Sequence, residues 1–104
     1  MSNIKIQSEY SDLDKYKNIF ETIFYYKKGT SINHNPYGPA IICKDGAKYY
    51  CLNNKRHRLD GPAVIYSDSE KQYYINNKQL TKEEFEIHPE RLKFLGKGYL
   101  ICLK

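Results

Sequence analysis

Two stretches of this chain, residues 34–55 and 57–78, are copies of one 22-residue sequence. An offset of 23 residues aligns them without a gap, and 11 of the 22 aligned pairs are identical. Internal similarity at a fixed period is the signature of a supersecondary unit that recurs along the chain and packs against its neighbour. We call residues 34–55 copy 1 and residues 57–78 copy 2, and we expect them to fold alike.

The pattern within each copy predicts a β-hairpin. Gly-Pro-Ala precedes a short apolar strand, a turn and a tyrosine-rich strand follow, and Asn-Asn-Lys closes the copy. Asp45-Gly46 is typical of a two-residue hairpin turn, whereas Asp68-Ser69 is a weaker turn signal. Asn tolerates the left-handed backbone that the next reversal requires. The copies therefore predict an antiparallel meander sheet, built of 23-residue hairpin repeats, with about five to seven strands.

A two-residue turn at Asp45-Gly46 also fixes which side chains share a face. It places Cys43 and Cys51 on opposite faces, and both faces are partly apolar, so we expect other segments to cover at least one of them. Gly38 and Gly61 precede the prolines that open the first strand of each copy, and we expect both positions to be intolerant of a Cβ.

The flanks of the copies predict helical caps on a single domain that spans residues 1–104. Apolar residues at helical spacing predict a helix over Asp12–Glu21 within an N-terminal cap of residues 11–22. The next segment, 24–29, is typical of a strand. In the C-terminal cap, residues 81–104, a capping box at Thr81 starts a helix, His88-Pro89 interrupts it, residues 90–95 form a short helix and residues 99–103 a final strand. The fold class is mainly β with flanking helices.

Charge and cysteine usage favour a cytoplasmic protein. The net charge is +5, and 14 of the 17 basic residues are lysines scattered through the sequence, a distribution that suits solubility better than a dedicated nucleic-acid patch. The N-terminus lacks the apolar region of a secretion signal, and no apolar run is long enough to cross a bilayer. The three cysteines are odd in number, and we expect all three to be free thiols.

The string His-Arg-Leu-Asp-Gly-Pro-Ala at residues 57–63 resembles the HR-x-DGPA repeat of small proteins from giant DNA viruses and some phages. More loosely, the copies are similar to variant MORN repeats. The similarity covers about residues 20–85, and copy 1 departs from it at Asn35, Pro36 and Tyr37. The resemblance implies a hairpin-repeat sheet, a viral origin with a place in the host cytoplasm or viral factory, and use as an interaction module.

No residue pattern predicts catalysis, a cofactor or a metal site. His34 and His57 occupy equivalent positions, yet neither has a second ligand at the spacing that metal sites use. Nucleophilic catalysis needs an activated Cys or Ser beside a base and an orienting group, and no local string supplies one. We therefore expect a protein without enzymatic activity, small-molecule substrate or membrane partner.

The residues that best fit a binding role lie in and beside copy 2. Tyrosine and arginine are enriched where protein interfaces concentrate their binding energy. We therefore predict a protein-binding surface, and the alternative is an RNA or ribonucleoprotein partner bound by stacking on tyrosine and by Lys and Arg charge. The predicted partner-binding residues are Arg56, Arg58, Tyr66, Tyr73 and Tyr74.

Overall fold

The computed structural model describes residues 3–96, which contain ten short strands and two helices. The strands before copy 2 are β1 (Ile4–Ile6), β2 (Leu13–Lys17), β3 (Ile23–Lys27), β4 (Ile41–Ile42), β5 (Lys48–Tyr49), β6 (Cys51–Leu52) and β7 (Lys55–Arg56). The remaining elements are β8 (Val64–Ile65), β9 (Lys71–Ile75), β10 (Lys78–Leu80), α1 (Lys82–Glu86) and α2 (Pro89–Phe94).

Eight strands form one antiparallel sheet in the order β1-β2-β3-β4-β5-β8-β9-β10, and β6 pairs with β7 beside it. The prediction of a mainly β, antiparallel fold is confirmed, although the strands outnumber the five to seven expected. The molecule measures 54 × 31 × 19 Å, and its radius of gyration is 15.4 Å, whereas a compact domain of this length has about 13 Å. The described chain is thus an elongated single sheet with little covering material.

The N-terminal helix predicted over Asp12–Glu21 is wrong. β2 pairs along its whole length with β3, and the segment between them is a turn. The Asn18 carboxamide oxygen accepts hydrogen bonds from the backbone N–H groups of Phe20 and Thr22 and so holds this turn. Ile19 and Phe20, which the helical spacing would place inward, are 61% and 72% exposed. Ile, Tyr and Asn have weak helix propensity, and pairing with β3 overrides the spacing.

The hairpin turn of copy 1 contains three residues rather than the two predicted. In copy 1 the Cys43 N–H donates to the Ala47 carbonyl oxygen, the Asp45 carboxylate accepts from the Ala47 N–H, and Gly46 has φ +96°. Copy 2 has the same turn with Ser69 at φ +73°. A one-residue change in the turn shifts the pairing register by one and moves side chains to the other face.

This register corrects the predicted facing of the cysteines. Ile41 pairs with Tyr49, so alternation places Cys43 and Cys51 on the same face as these two residues. Both cysteines are free thiols, as predicted. The third, Cys102, lies outside the described residues, as does the strand predicted over residues 99–103.

Several hydrogen bonds recur 23 residues apart in the two copies. In each copy a histidine Nδ1 accepts from the N–H of the first Asn of the Asn-Asn turn, and the second Asn accepts from a backbone N–H before the copy. A third bond runs from the residue after the histidine to a proline carbonyl oxygen. The copy 1 pairs are His34–Asn53, Asn54–Asn33 and Asn35–Pro39, and the copy 2 pairs are His57–Asn76, Asn77–Arg56 and Arg58–Pro62.

The C-terminal cap consists of two short helices. Thr81 and Glu84 form the predicted capping box at the start of α1, and Pro89 opens α2 after His88, which caps it. Phe85 is 2% exposed and lies 4.7 Å from the ring of Tyr73, so α1 packs on β9. Neither helix is long and apolar enough to span a membrane.

Candidate functional site

Strand pairing divides the half-exposed side chains of the sheet between two faces. One cross-strand row, running from β2 to β9, joins Tyr16, Phe24, Ile41, Tyr49, Val64 and Gln72. Side chains two positions away along a strand point to the same side. We call this side the aromatic face, and its large side chains are Tyr16, Phe24, Tyr26, Ile41, Tyr49, Tyr66 and Tyr74.

The other side, which we call the opposite face, carries the next row along the strands. That row runs Lys17, Ile23, Ile42, Lys48, Ile65 and Lys71. Helix α1 packs on this face, where Phe85 lies against Tyr73, and Phe94 of α2 borders an open pocket that Tyr50 also lines. The aromatic face has no such cover from residues 3–96.

The five predicted binding residues do not form one cluster. Arg56, Tyr66 and Tyr74 lie on the aromatic face, whereas Arg58 and Tyr73 lie on the opposite face. Residues 73 and 74 are neighbours in one strand, so they must point in opposite directions. Arg56 and Arg58 are separated by their contacts, since Arg56 lies over Tyr49 and Tyr74 whereas Arg58 lies over Tyr50.

Arg58 is a structural residue within copy 2. Its guanidinium carbon lies 3.9 Å from the centre of the Tyr50 ring, its Nε donates to Asp60 at 2.9 Å, and its Nη1 donates to the Pro62 carbonyl oxygen at 3.1 Å. These contacts use the stacking surface and two donor directions of the side chain. Arg58 therefore organises the Gly-Pro loop of copy 2 and is a poor anchor for a partner.

Arg56 differs from Arg58 in its contacts. Its guanidinium carbon lies 5.4 Å from the ring centre of Tyr49 and 5.8 Å from that of Tyr74, so it sits over two tyrosines of adjacent strands. Its side chain donates no hydrogen bond and forms no ion pair within the described part of the chain. The side chain is exposed, which leaves the planar donor fork open to a partner.

The tyrosines beside Arg56 hold one another in place. Tyr66 packs edge-on against Tyr49 with ring centres 6.3 Å apart and planes at 86°. The hydroxyls of Tyr66 and Tyr74 lie 3.3 Å and 3.5 Å from the same Gln72 carboxamide oxygen. Edge-to-face packing and shared hydrogen bonding leave ring edges and hydroxyl groups at the surface.

A shallow groove of about 310 Å³ runs next to Arg56 on the aromatic face. Its apolar wall consists of Phe24, Tyr26, Ile41, Tyr49 and Cys51, and its polar rim of Ser31, Asn33, Asn54, Arg56 and Asn77. No acidic residue is in this lining. Cys51 occupies the position that Tyr74 occupies in copy 2, so a small side chain opens the groove where copy 2 carries a large one.

Sequence reasoning missed the contribution of the strands before copy 2. Tyr16, Phe24, Tyr26 and Tyr49 extend the aromatic face across β2, β3 and β5, and Tyr16 packs edge-on against Tyr26 at 5.5 Å. In β2 the charged residues Lys15 and Lys17 flank Tyr16, which is compatible with a strand that has one polar face, but the helical spacing obscured this signal.

Three titratable groups of this surface are shifted toward their neutral forms. Burial raises the pKa of the Cys51 thiol and of the Tyr26 and Tyr49 hydroxyls above their ordinary values. A thiol with a raised pKa carries little of the thiolate that nucleophilic chemistry uses. Among residues 3–96, no three or more His, Cys, Asp or Glu side chains are grouped so that they could hold a metal ion.

No protein-family model, curated protein or solved structure matches this chain. What the aromatic face can bind therefore follows from its own geometry. It offers ring edges, hydroxyl groups, one open guanidinium and a groove with donors on its rim.

Proposed function

We propose that this protein is a non-enzymatic binding module whose aromatic face docks a protein partner. The observation that carries the proposal is the position of Arg56, an exposed guanidinium without an ion pair in residues 3–96, over Tyr49 and Tyr74. Arginine and tyrosine are the residue types in which protein interfaces concentrate binding energy. An extended aromatic surface left uncovered by its own helices is typical of an interaction site.

The arrangement of the rings favours a protein over RNA. Proteins that bind single-stranded RNA present open ring faces on which bases stack. Here the Arg56 side chain covers Tyr49 and Tyr74, and Tyr66 turns its edge toward Tyr49. A base would have to displace these contacts, whereas a protein side chain can pack against ring edges and bond the hydroxyl groups.

We further propose that the module works in the cytoplasm, since Cys43 and Cys51 are unpaired and a reducing compartment keeps thiols free. The absence of enzymatic activity stays part of the proposal. It is supported by the raised pKa of Cys51 and by the shallow, open form of the groove. The role agrees with what the HR-x-DGPA resemblance implies.

The test is a selection of binders from a displayed random-peptide library, followed by mapping of the bound peptide by nuclear magnetic resonance. We expect peptides that bind the wild type and lose binding in the double variant Arg56→Ala, Tyr74→Ala. The matched control changes a lysine and an aromatic residue of the opposite face, Lys48→Ala and Tyr50→Phe, and should bind normally.

Two results would overturn the proposal. One is a set of selected peptides whose binding survives in a folded Arg56→Ala, Tyr74→Ala variant. The other is a failure to select any peptide. If poly-uridylate then binds tightly, with an affinity that falls steeply as salt rises, nucleic acid is the partner.

A further inference from the structure

We propose that the groove beside Arg56 receives an acidic side chain, Asp or Glu, from an extended segment of the partner protein. This inference rests on the proposed function and names the chemistry of the partner. The groove is the concave part of the aromatic face, and the open guanidinium lies on its rim.

The charge of the groove selects for an acceptor that is negatively charged. The five rim residues supply one guanidinium, three carboxamides and one hydroxyl, and none of the lining residues is acidic. A carboxylate placed here meets Arg56 without a competing anion. The guanidinium lies over the rings of Tyr49 and Tyr74, and its donor groups remain available for a bidentate, charge-assisted bond to a carboxylate.

The carboxamides of Asn54 and Asn77 are oriented by the backbone. The Asn54 oxygen accepts from the Asn33 N–H at 2.7 Å, and the Asn77 oxygen accepts from the Arg56 N–H at 3.2 Å. Both residues line the groove, and because each oxygen accepts one of these bonds, each Nδ2 group is the donor that the carboxamide can offer to a ligand there. Neither Nδ2 donates a hydrogen bond within residues 3–96, so two fixed donors accompany Arg56.

The apolar wall indicates what lies next to the acidic side chain. Phe24, Tyr26 and Ile41 are half-exposed and line the groove opposite the rim. A residue that flanks the acid in an extended partner segment can pack its apolar side chain there. At about 310 Å³ the groove is at the small end of binding sites, so it fits one or two side chains rather than a folded element.

The position of Cys51 provides a way to close the groove. Copy 2 accommodates Tyr74 at the equivalent position, so the local backbone is compatible with a tyrosine there. The substitution Cys51→Tyr should fill the groove while leaving Arg56 and the rest of the aromatic face in place.

The experiment repeats the random-peptide selection with the wild type, Arg56→Gln and Lys55→Gln. Lys55 is the matched control, because it precedes Arg56 in the same strand, is equally exposed, carries the same charge and points to the opposite face. We expect Asp or Glu to be enriched at one peptide position with the wild type and Lys55→Gln, and not with Arg56→Gln. Replacing that acid by its amide in a selected peptide should weaken binding to the wild type about 10-fold or more.

The outcomes separate this inference from the proposed function. Peptides selected without an acidic residue overturn the inference and leave the binding module standing. A failure to select any peptide overturns both. Retention of the acid preference by Cys51→Tyr, in a protein that melts at the wild-type temperature, also overturns the assignment of the acid to the groove.

Discussion

Copy 1 and copy 2 make corresponding hydrogen bonds but present different side chains on the aromatic face. Where copy 2 carries Tyr66 and Tyr74, copy 1 carries Cys43 and Cys51 at the equivalent positions. In both copies the N–H of the first Asn donates to the histidine Nδ1, and a backbone N–H donates to the carboxamide oxygen of the second Asn. The histidine and asparagines that hold the backbone are thus shared, whereas these side chains of the aromatic face differ, and the difference creates a raised aromatic patch beside an open groove.

On the opposite face the two copies carry the same residue but differ in what covers it. Tyr50 and Tyr73 are equivalent and identical, but the guanidinium of Arg58 covers Tyr50 at 3.9 Å, while Phe85 of α1 covers Tyr73 at 4.7 Å. Copy 2 therefore covers the tyrosine of copy 1 through Arg58, and the C-terminal cap covers the tyrosine of copy 2 through Phe85. A short array needs such a cap because its last unit has no following copy to pack against.

Phe85 and Arg58, which cover Tyr73 and Tyr50, should contribute different amounts to the free energy of unfolding. We expect Phe85→Ala to lower the free energy of unfolding by about 3 kcal/mol, since it removes a buried ring and leaves a cavity over Tyr73. Arg58→Ala removes a partly exposed side chain over Tyr50 and should cost about 1–2 kcal/mol. Chemical denaturation of both variants measures the values, and equal losses would contradict the distinction.

The two glycines before proline should also behave differently. A Cβ on Gly61 would lie 3.1 Å from the Arg58 guanidinium, which three contacts hold in place, whereas a Cβ on Gly38 would meet only the Asn35 carboxamide at 4.0 Å. Neither glycine has a positive φ, so the expectation that both positions exclude a Cβ holds, on this geometry, for Gly61 alone.

We expect Gly61→Ala to lower the free energy of unfolding by about 1 kcal/mol and Gly38→Ala to leave it unchanged or slightly raised. Thermal or urea unfolding of the two single variants checks this. In an Arg58→Ala background the effect of Gly61→Ala should vanish. A persistent loss in that background would show that Arg58 is not the cause.

The hairpin turns differ at a single position with a left-handed backbone. Gly46 of copy 1 adopts φ +96° without strain, but Ser69 of copy 2 has φ +73°, which costs a residue with a Cβ about 1 kcal/mol. A glycine at position 69 would avoid this cost, but its greater flexibility in the unfolded chain offsets part of the resulting stabilisation. Ser69→Gly should therefore stabilise by about 0.5 kcal/mol and Gly46→Ser should destabilise, and a destabilised Ser69→Gly protein would refute the turn assignment.

The hydrogen bond from an Asn N–H to a histidine Nδ1, which both copies share, predicts that the free energy of unfolding depends modestly on pH. Burial lowers the pKa of His34 and of His57 below the ordinary value near 6.5, and the charge of Lys27 lowers the pKa of His34 further. In both histidines the Nδ1 accepts a backbone hydrogen bond, which requires this nitrogen to be unprotonated. Above that value neither the folded nor the unfolded chain is protonated there. As the pH falls through about 6.5 the unfolded chain binds protons first, so the free energy of unfolding decreases.

Urea unfolding at about pH 7.5 and pH 5.5 measures this decrease. A chain with both His34→Gln and His57→Gln should lose less stability between the two pH values than the wild type. If the wild type and the double variant lose the same amount, the histidines are not the source of the pH dependence.

Local sequence signals predicted the elements that depend on nearby residues. The capping box at Thr81, the interruption at His88-Pro89 and the left-handed Asn-Asn turns are set by neighbours along the chain, and the structure contains all of them. Antiparallel strands within the copies followed from their alternating pattern. These features require no knowledge of distant contacts.

Features that depend on register could not be predicted in the same way. A turn of two or three residues fits Asp45-Gly46 almost equally well, and the choice decides which face every following side chain occupies. The observed register places Tyr66 on the same face as Tyr74 rather than Tyr73, and the sequence alone does not determine this choice. The spacing in β2 fitted a helix as well as a strand, and only its pairing with β3 decides between them.

Tyrosine ring resonances, measured by nuclear magnetic resonance while a library-selected peptide is titrated into the wild-type protein, show which face binds the partner. If the aromatic face is the binding surface, the resonances of Tyr49, Tyr66 and Tyr74 shift on binding, while those of Tyr50 and Tyr73 stay unchanged. Shifts confined to Tyr50 and Tyr73 would place the partner on the opposite face and refute a binding role for the aromatic face.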